Sequence, residues 1–172
     1  MIAAMAFSFL GDVMGAAHSF IGQMSFFACA HVSMTVWFIR SSYKIRYRDN
    51  HSVVFLVLAL LLSALFYIVP FSPEGVIRYG VIVYCLVIAA MLLSSFFLCN
   101  SSRHDKTRSL PVSLILLGSV SFVISDYILA WNKFVSPLDL ENYLIMVPYY
   151  LGQLLIFTGT ALLPERSSSV AA

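Results

Sequence analysis

Charge is scarce in this sequence: Lys, Arg, Asp and Glu make up 10% of 172 residues, against 60% hydrophobic residues and a mean hydropathy of +0.91. A soluble domain of this length has no core large enough to hide so much apolar surface, which excludes the soluble globular class. The net charge of +2 is small and its basic residues are dispersed in short loops, so no nucleic-acid-binding face is expected. Cysteine is scarcer still. Cys29, Cys85 and Cys99 are odd in number, lie in or beside apolar runs and show no CxxC or His-Cys spacing. They exclude a disulfide framework and read as small buried hydrophobes. GxSxG, HExxH, P-loop and Gly-rich nucleotide patterns are all missing, so serine-hydrolase, zinc-protease and nucleotide readings have nothing to rest on, and no cofactor is expected. The first fifteen residues are apolar, but they lack a basic leader and carry Asp12, which argues against a cleaved signal peptide.

What the sequence has is long apolar runs. About 20 apolar residues cross a bilayer, and six segments approach or reach that length: Met1 to Gly15, Ser19 to Ile39, Val53 to Val69, Gly75 to Cys99, Leu110 to Trp131 and Tyr143 to Leu163. The fold class expected is an all-α, polytopic transmembrane helical bundle of about six spans. It forms one domain over 1–163, followed by a short disordered cytoplasmic tail over 164–172. The stops between runs are the polar stretch Arg40 to His51, the Pro70 to Pro73 turn, Asn100 to Ser109 with Pro111, and Ser136-Pro137. Short connections make neighbouring spans antiparallel, so loop charges report orientation. Arg40, Lys44, Arg46, Arg48, Arg103, Lys106, Arg108 and Arg166 fall on one side, and only Arg78 and Lys133 on the other. Both termini are therefore expected in the cytoplasm, as in a multi-pass protein of the inner membrane of a bacterium.

Within this apolar background, ionisable and amide side chains stand out. Asp126 lies inside the fifth run, where a carboxylate costs roughly 2.5–3.5 kcal/mol on insertion scales and normally faces protein or a wet cavity. Asp12 lies near the exit end of the first run. Both runs lead away from the cytoplasm, so the two carboxyls are expected at one depth, about 6–8 Å from the far ends of their helices. They read as a catalytic pair, an ion or proton site, or two unrelated groups reaching for the surface. Tyr149, Gln153, Ile156 and Thr160 follow helical spacing and share one inward face, either for chemistry or for interhelical hydrogen bonds. Ser121 and Ser125 form a small-xxx-small pair suited to packing. His31 is mid-span, either a base or a neutral donor to a neighbouring carbonyl, and with no companion ligands at suitable spacing it makes no metal site. Gln23 lies nearer the outer end of the same helix. Lys133 stands two turns beyond Asp126, next to Trp131, as a phosphate contact or an interfacial anchor.

Several of these stretches resemble, in order, those of the YhhN/TMEM86 family of integral membrane proteins. Ser8 to Asp12 resembles its Leu-Gly-Asp span, and Phe20 to Gly22 with His31 its next, Gly-containing span. Gly118 to Asp126 with Lys133-Phe134 resembles its Gly-Ala-x-x-Phe-x-x-Ser-Asp stretch, and Tyr149 to Ile156 its Tyr-Tyr-x-x-Gln-x-Leu-Ile ending. The likeness covers the last six of the family's typical eight spans, beginning inside the third, and the Lys-Pro element of the second span is absent. The resemblance implies hydrolysis of the vinyl-ether bond of a lysoplasmalogen, a single-chain lysophospholipid drawn from the membrane, to a fatty aldehyde and a glycerophospho-headgroup. Such chemistry needs one carboxylic acid and one carboxylate, as in a glycosidase. Asp126 is then the acid and Asp12 its ionised partner, or the reverse, with His31, Tyr149 and Gln153 in support. Gln23, Trp131, Lys133 and Tyr150 are the substrate-binding candidates, the aromatic rings for a headgroup cation and Lys133 for the phosphate. From another class, the same carboxyls suit a small ion- or proton-coupled transporter, though no repeat or broken helix pair is visible. A non-catalytic scaffold is the third reading.

Overall fold

The computed structural model describes residues 1–42, 51–102 and 105–164. Within them the chain is all-α, as expected. Its helices are α1 (Ile2–Ala16), α2 (Phe20–Ser41), α3 (His51–Tyr67), α4 (Val76–Ser101), α5 (Lys106–Phe134) and α6 (Glu141–Leu162), with a 3-10 turn at Val69–Phe71. The α3 segment with that turn, α4, α5 and α6 are long and apolar enough to cross a membrane. With 15 residues, α1 is shorter. The 22-residue α2 has the length but is diluted by Gln23, His31, Ser33 and Thr35.

Local chemistry sets the helix ends. Ser19 caps α2, its Oγ accepting from the Gly22 N–H at 3.3 Å, and Asp105 caps α5, accepting from the Thr107 N–H at 3.0 Å. Gly75 begins α4 at φ 86°, where a side chain would be strained, and the Arg78 guanidinium donates to the Ser72 carbonyl at 2.8 Å across the same turn. Asn132 closes the α5–α6 turn by accepting from the Leu138 N–H at 2.7 Å and donating to Glu141.

The closest helix pair is α5 with α6, and glycine permits it. A Cβ on Gly118 would lie 2.8 Å from the Gly152 carbonyl oxygen, and one on Gly159 would lie 2.6 Å from that of Pro111. Such contacts leave room only for hydrogen, as in membrane bundles where small residues bring backbones together. Pro148 has no N–H for the Leu144 carbonyl, which loosens that turn of α6. Beside it, Ser125 Oγ donates to the Ile145 carbonyl and Ser121 Oγ to the Pro148 carbonyl, each at 2.8 Å. The small-xxx-small pair thus packs, and its own hydroxyls find acceptors on the α6 backbone that lipid cannot supply. From this pair, contacts run through α4 and α2 to α1, while α3 packs mainly on α4.

Three expectations need correction. Pro111 does not stop α5, which begins at Lys106 and carries Pro111 inside it; the break in pairing falls near the helix start, where few intrahelical bonds are lost. α5 also continues to Phe134. Asp126 is therefore about 12 Å from its helix end and Asp12 about 6 Å from the end of α1, not equally deep along their own helices. Cys29 is exposed, because the buried stripe of α2 (Phe27, Ala30, His31, Met34, Phe38) leaves position 29 on the other face; Cys85 and Cys99 are half-buried.

Arg40 and Arg108 lie at one end of the bundle. Arg108 is buried there at 2% exposure and donates to the Ser41 carbonyl at 2.9 Å, joining the end of α2 to the start of α5. We call this the Arg end, and the opposite one, where Phe20 meets Phe134 edge-on at 5.5 Å, the Asp end. Lys44, Arg46, Arg48, Arg103, Arg166 and the tail 165–172 lie outside the described residues.

Candidate active site

Three helices bring three polar groups together in mid-bundle. Asp126 comes from α5, Tyr84 from α4 and His31 from α2. The Tyr84 hydroxyl donates to Asp126 Oδ2 at 2.7 Å, and His31 Nε2 lies 3.3 Å from that oxygen and 3.2 Å from Tyr84 Oη. His31 is fully buried, and the Asp126 side chain keeps 11% exposure. His31 Nδ1 is buried without a hydrogen-bond partner among the described residues. An unpaired buried acceptor is less costly than an unpaired N–H, so the network assigns the ring proton to Nε2, where oxygens receive it. Asp126 Oδ2 thus accepts from Tyr84, whose oxygen is itself in hydrogen-bond contact with His31 Nε2. Among the described residues no hydrogen bond reaches Oδ1.

A second polar cluster joins α1 to α6. The Tyr149 hydroxyl donates to Asp12 Oδ1 at 2.8 Å, and Gln153 Nε2 donates in turn to the Tyr149 oxygen. The inward face expected for α6 is present: Tyr149 and Ile156 are buried, Gln153 and Thr160 half-buried. Phe122 stands between the clusters, edge-on to His31 at 5.2 Å and to Tyr149 at 5.3 Å, while Phe27 packs on Tyr149 at 5.6 Å. No hydrogen bond joins Asp12 to Asp126 among the described residues; each carboxyl has its own tyrosine.

The two carboxyls differ in what they face. Asp126, Tyr84 and Gln23 lie in the wall of a cavity between α2, α3, α4 and α5 that is otherwise overwhelmingly apolar, including Phe27, Ala64, Ile88 and Val123; Asp12 is not in that wall. Phe20 and Phe134 line its Asp end, and Lys133 Nζ sits 5.5 Å from the centre of the Phe20 ring. Two expected substrate contacts are elsewhere. Trp131 is half-buried outside the cavity wall, and Tyr150 is 58% exposed on the outer face of α6. Their positions on α5 and α6 turn them away from the side that α3 and α4 close.

Sequence reasoning missed Tyr84. It reads as one aromatic among many in an apolar run, yet a tyrosine eight residues into a span must find a partner for its hydroxyl, and that need was the available signal.

A family model described as the YhhN family matches residues 1–160 of the chain. Searches among curated proteins and among solved structures each found no match.

Proposed function

The chain belongs to the YhhN family, and from that premise we propose that it is a membrane hydrolase cleaving the vinyl-ether bond of lysoplasmalogens. The observation that carries the reading is Asp126: a carboxyl whose Oδ2 accepts from Tyr84 beside His31, with its other oxygen free to meet a ligand in an apolar, lipid-like cavity.

A vinyl ether is hydrolysed by acid at carbon. The Asp126 carboxyl transfers its proton to the β-carbon of the double bond, and the ether oxygen shares the resulting positive charge as an oxocarbenium ion. The carboxylate left behind stabilises that cation at short range and then takes a proton from the attacking water. The hemiacetal so formed breaks its bond to the glycerol oxygen, which leaves with a proton, and the other product is the fatty aldehyde. One water is consumed overall. Tyr84 donates to Oδ2 and His31 Nε2 backs the Tyr84 oxygen, so Oδ1 is the oxygen that carries the transferable proton toward substrate.

Asp12 is assigned a positioning role. Its carboxyl is engaged by Tyr149, and the Asp12–Tyr149–Gln153 chain backs Phe122, on which the His31 ring rests. At the Asp end, Gln23 lies in the cavity wall and Lys133 sits over Phe20, which lines it; both suit a glycerophosphate headgroup. We assign the Arg end to the cytoplasm, as the basic residues Arg40 and Arg108 found there suit that side.

The test is aldehyde release by the purified protein in proteoliposomes. A lysoplasmalogen should yield fatty aldehyde at a rate unchanged by chelator, and the saturated alkyl-ether analogue should yield none. Ion flux without aldehyde would replace the hydrolase reading with a transporter.

A further inference from the structure

The cavity continues well past the carboxyl that would do the chemistry. Going from Tyr84 toward the Arg end, α4 adds Cys85, Ile88, Ala89 and Leu92 to the wall, and α3 adds Ala64, Leu61, Leu60 and Val57 in the opposite order. From Tyr84 to Leu92 the slot runs about 12 Å at the helical rise. Its polar side chains are grouped at or outward of the Asp126 level, in Gln23, Tyr84, Asp126 and Tyr127; the inner reach is hydrocarbon and one thiol.

Shape and access narrow the occupant further. Two of the helices line it at helical spacing, α3 with positions 57, 60/61 and 64 and α4 with 84/85, 88/89 and 92, so its long axis runs along them. Ala89 and Cys85, one turn apart, keep the α4 wall low. Because α3 packs mainly on α4 and not on α2 or α5, the slot has a side facing the bilayer. An apolar ligand with polar groups at one end meets the requirements of such a pocket.

We propose that this inner reach is a chain-measuring pocket: it takes one unbranched hydrocarbon chain, tail toward the Arg end, and Val57, Ala89 and Leu92 set the longest chain that still places its first carbons at Asp126. The proposal rests on the reading of Asp126 as the group that meets substrate. A chain that is too long holds its reacting carbons outward of Asp126 and loses turnover without losing the headgroup contacts.

The experiment uses a saturated, non-hydrolysable alkyl-ether lysophospholipid with a photoactivatable diazirine at the chain terminus, irradiated with the full-length protein in nanodiscs and mapped by mass spectrometry. Labelling is expected on the peptides holding Val57 and Ala89 to Leu92. Labelling on α1 or α6, or none above that of a diacyl probe, overturns the pocket. In parallel, aldehyde release is measured over a graded series of vinyl-ether chain lengths. Ala89→Leu should lower the long-to-short ratio of kcat/KM by about tenfold or more, as a filled methylene position does. Leu92→Ala should raise that ratio, so a folding failure in one variant leaves the other decisive. An equal loss at all lengths in both variants also overturns the pocket. Inner labelling without aldehyde release would retain the chain site and refute the hydrolase reading, whereas aldehyde release with labelling elsewhere would do the reverse.

Discussion

Two clusters in this bundle are built from the same parts. In one, Asp126 accepts from Tyr84 with His31 alongside; in the other, Asp12 accepts from Tyr149 with Gln153 alongside. Both carboxyls sit in helices of low polarity and both hydroxyls are satisfied. The difference is what lies on the far side. Asp126 borders the cavity between α2, α3, α4 and α5, whereas Asp12 faces the seam between α1 and α6 and is not in the cavity wall. A carboxyl inside a membrane protein marks something worth its desolvation cost, but only access distinguishes a group that meets a ligand from one that joins helices.

Mutations can break this comparison. The largest effect is expected from Asp126→Asn, which keeps size but removes the transferable proton: kcat for aldehyde release should fall by about 10²–10⁴ with the protein still folded and inserted. Tyr84→Phe comes next. It removes the donor that holds Oδ2, and a hydrogen bond to an ionisable partner is worth about 1.5–3 kcal/mol, so a loss of roughly 10–100-fold in kcat with little change in KM is the expected reading. Gly118→Ala should act on the fold and not on the chemistry. Its new methyl meets the Gly152 carbonyl at 2.8 Å, and overpacking of this kind costs about 1–3 kcal/mol, read as a lower midpoint of thermal unfolding in detergent. The smallest effect belongs to Tyr149→Phe, since interhelical hydrogen bonds in membrane proteins average about 0.6 kcal/mol; turnover should change less than tenfold.

Much of the fold was legible because lipid imposes a coarse rule: long apolar runs become helices, and six such runs did. Their ends were less legible, since Asp105 and Lys106 read as loop while the backbone only needed a cap to extend α5 outward past Pro111. The candidate site was legible where polarity contrasted with its surroundings. Asp126, His31 and Gln153 could be named from the sequence, because in an apolar run an ionisable group or an amide is conspicuous, and Tyr149 because it shares a helix face with Gln153. Tyr84 could not, because tyrosine is ordinary in such a run and its role depends on α4 lying against α2 and α5. Arg108 was read from its loop as an orientation signal, and its burial against Ser41 depends on helix ends that no periodicity relates. The equal distance expected between each aspartate and the end of its helix failed for a similar reason: α5 runs further than its apolar residues do.

The central claim is that Asp126, and not Asp12, is the carboxyl that meets the substrate. Its most direct test compares Asp12→Asn with Asp126→Asn for single-turnover aldehyde release in the same proteoliposomes. Asp12→Asn should retain within about tenfold of the wild-type rate while Asp126→Asn loses at least about a hundredfold. Equal and non-additive losses in the two variants would contradict it, and would return the two aspartates to a single catalytic unit.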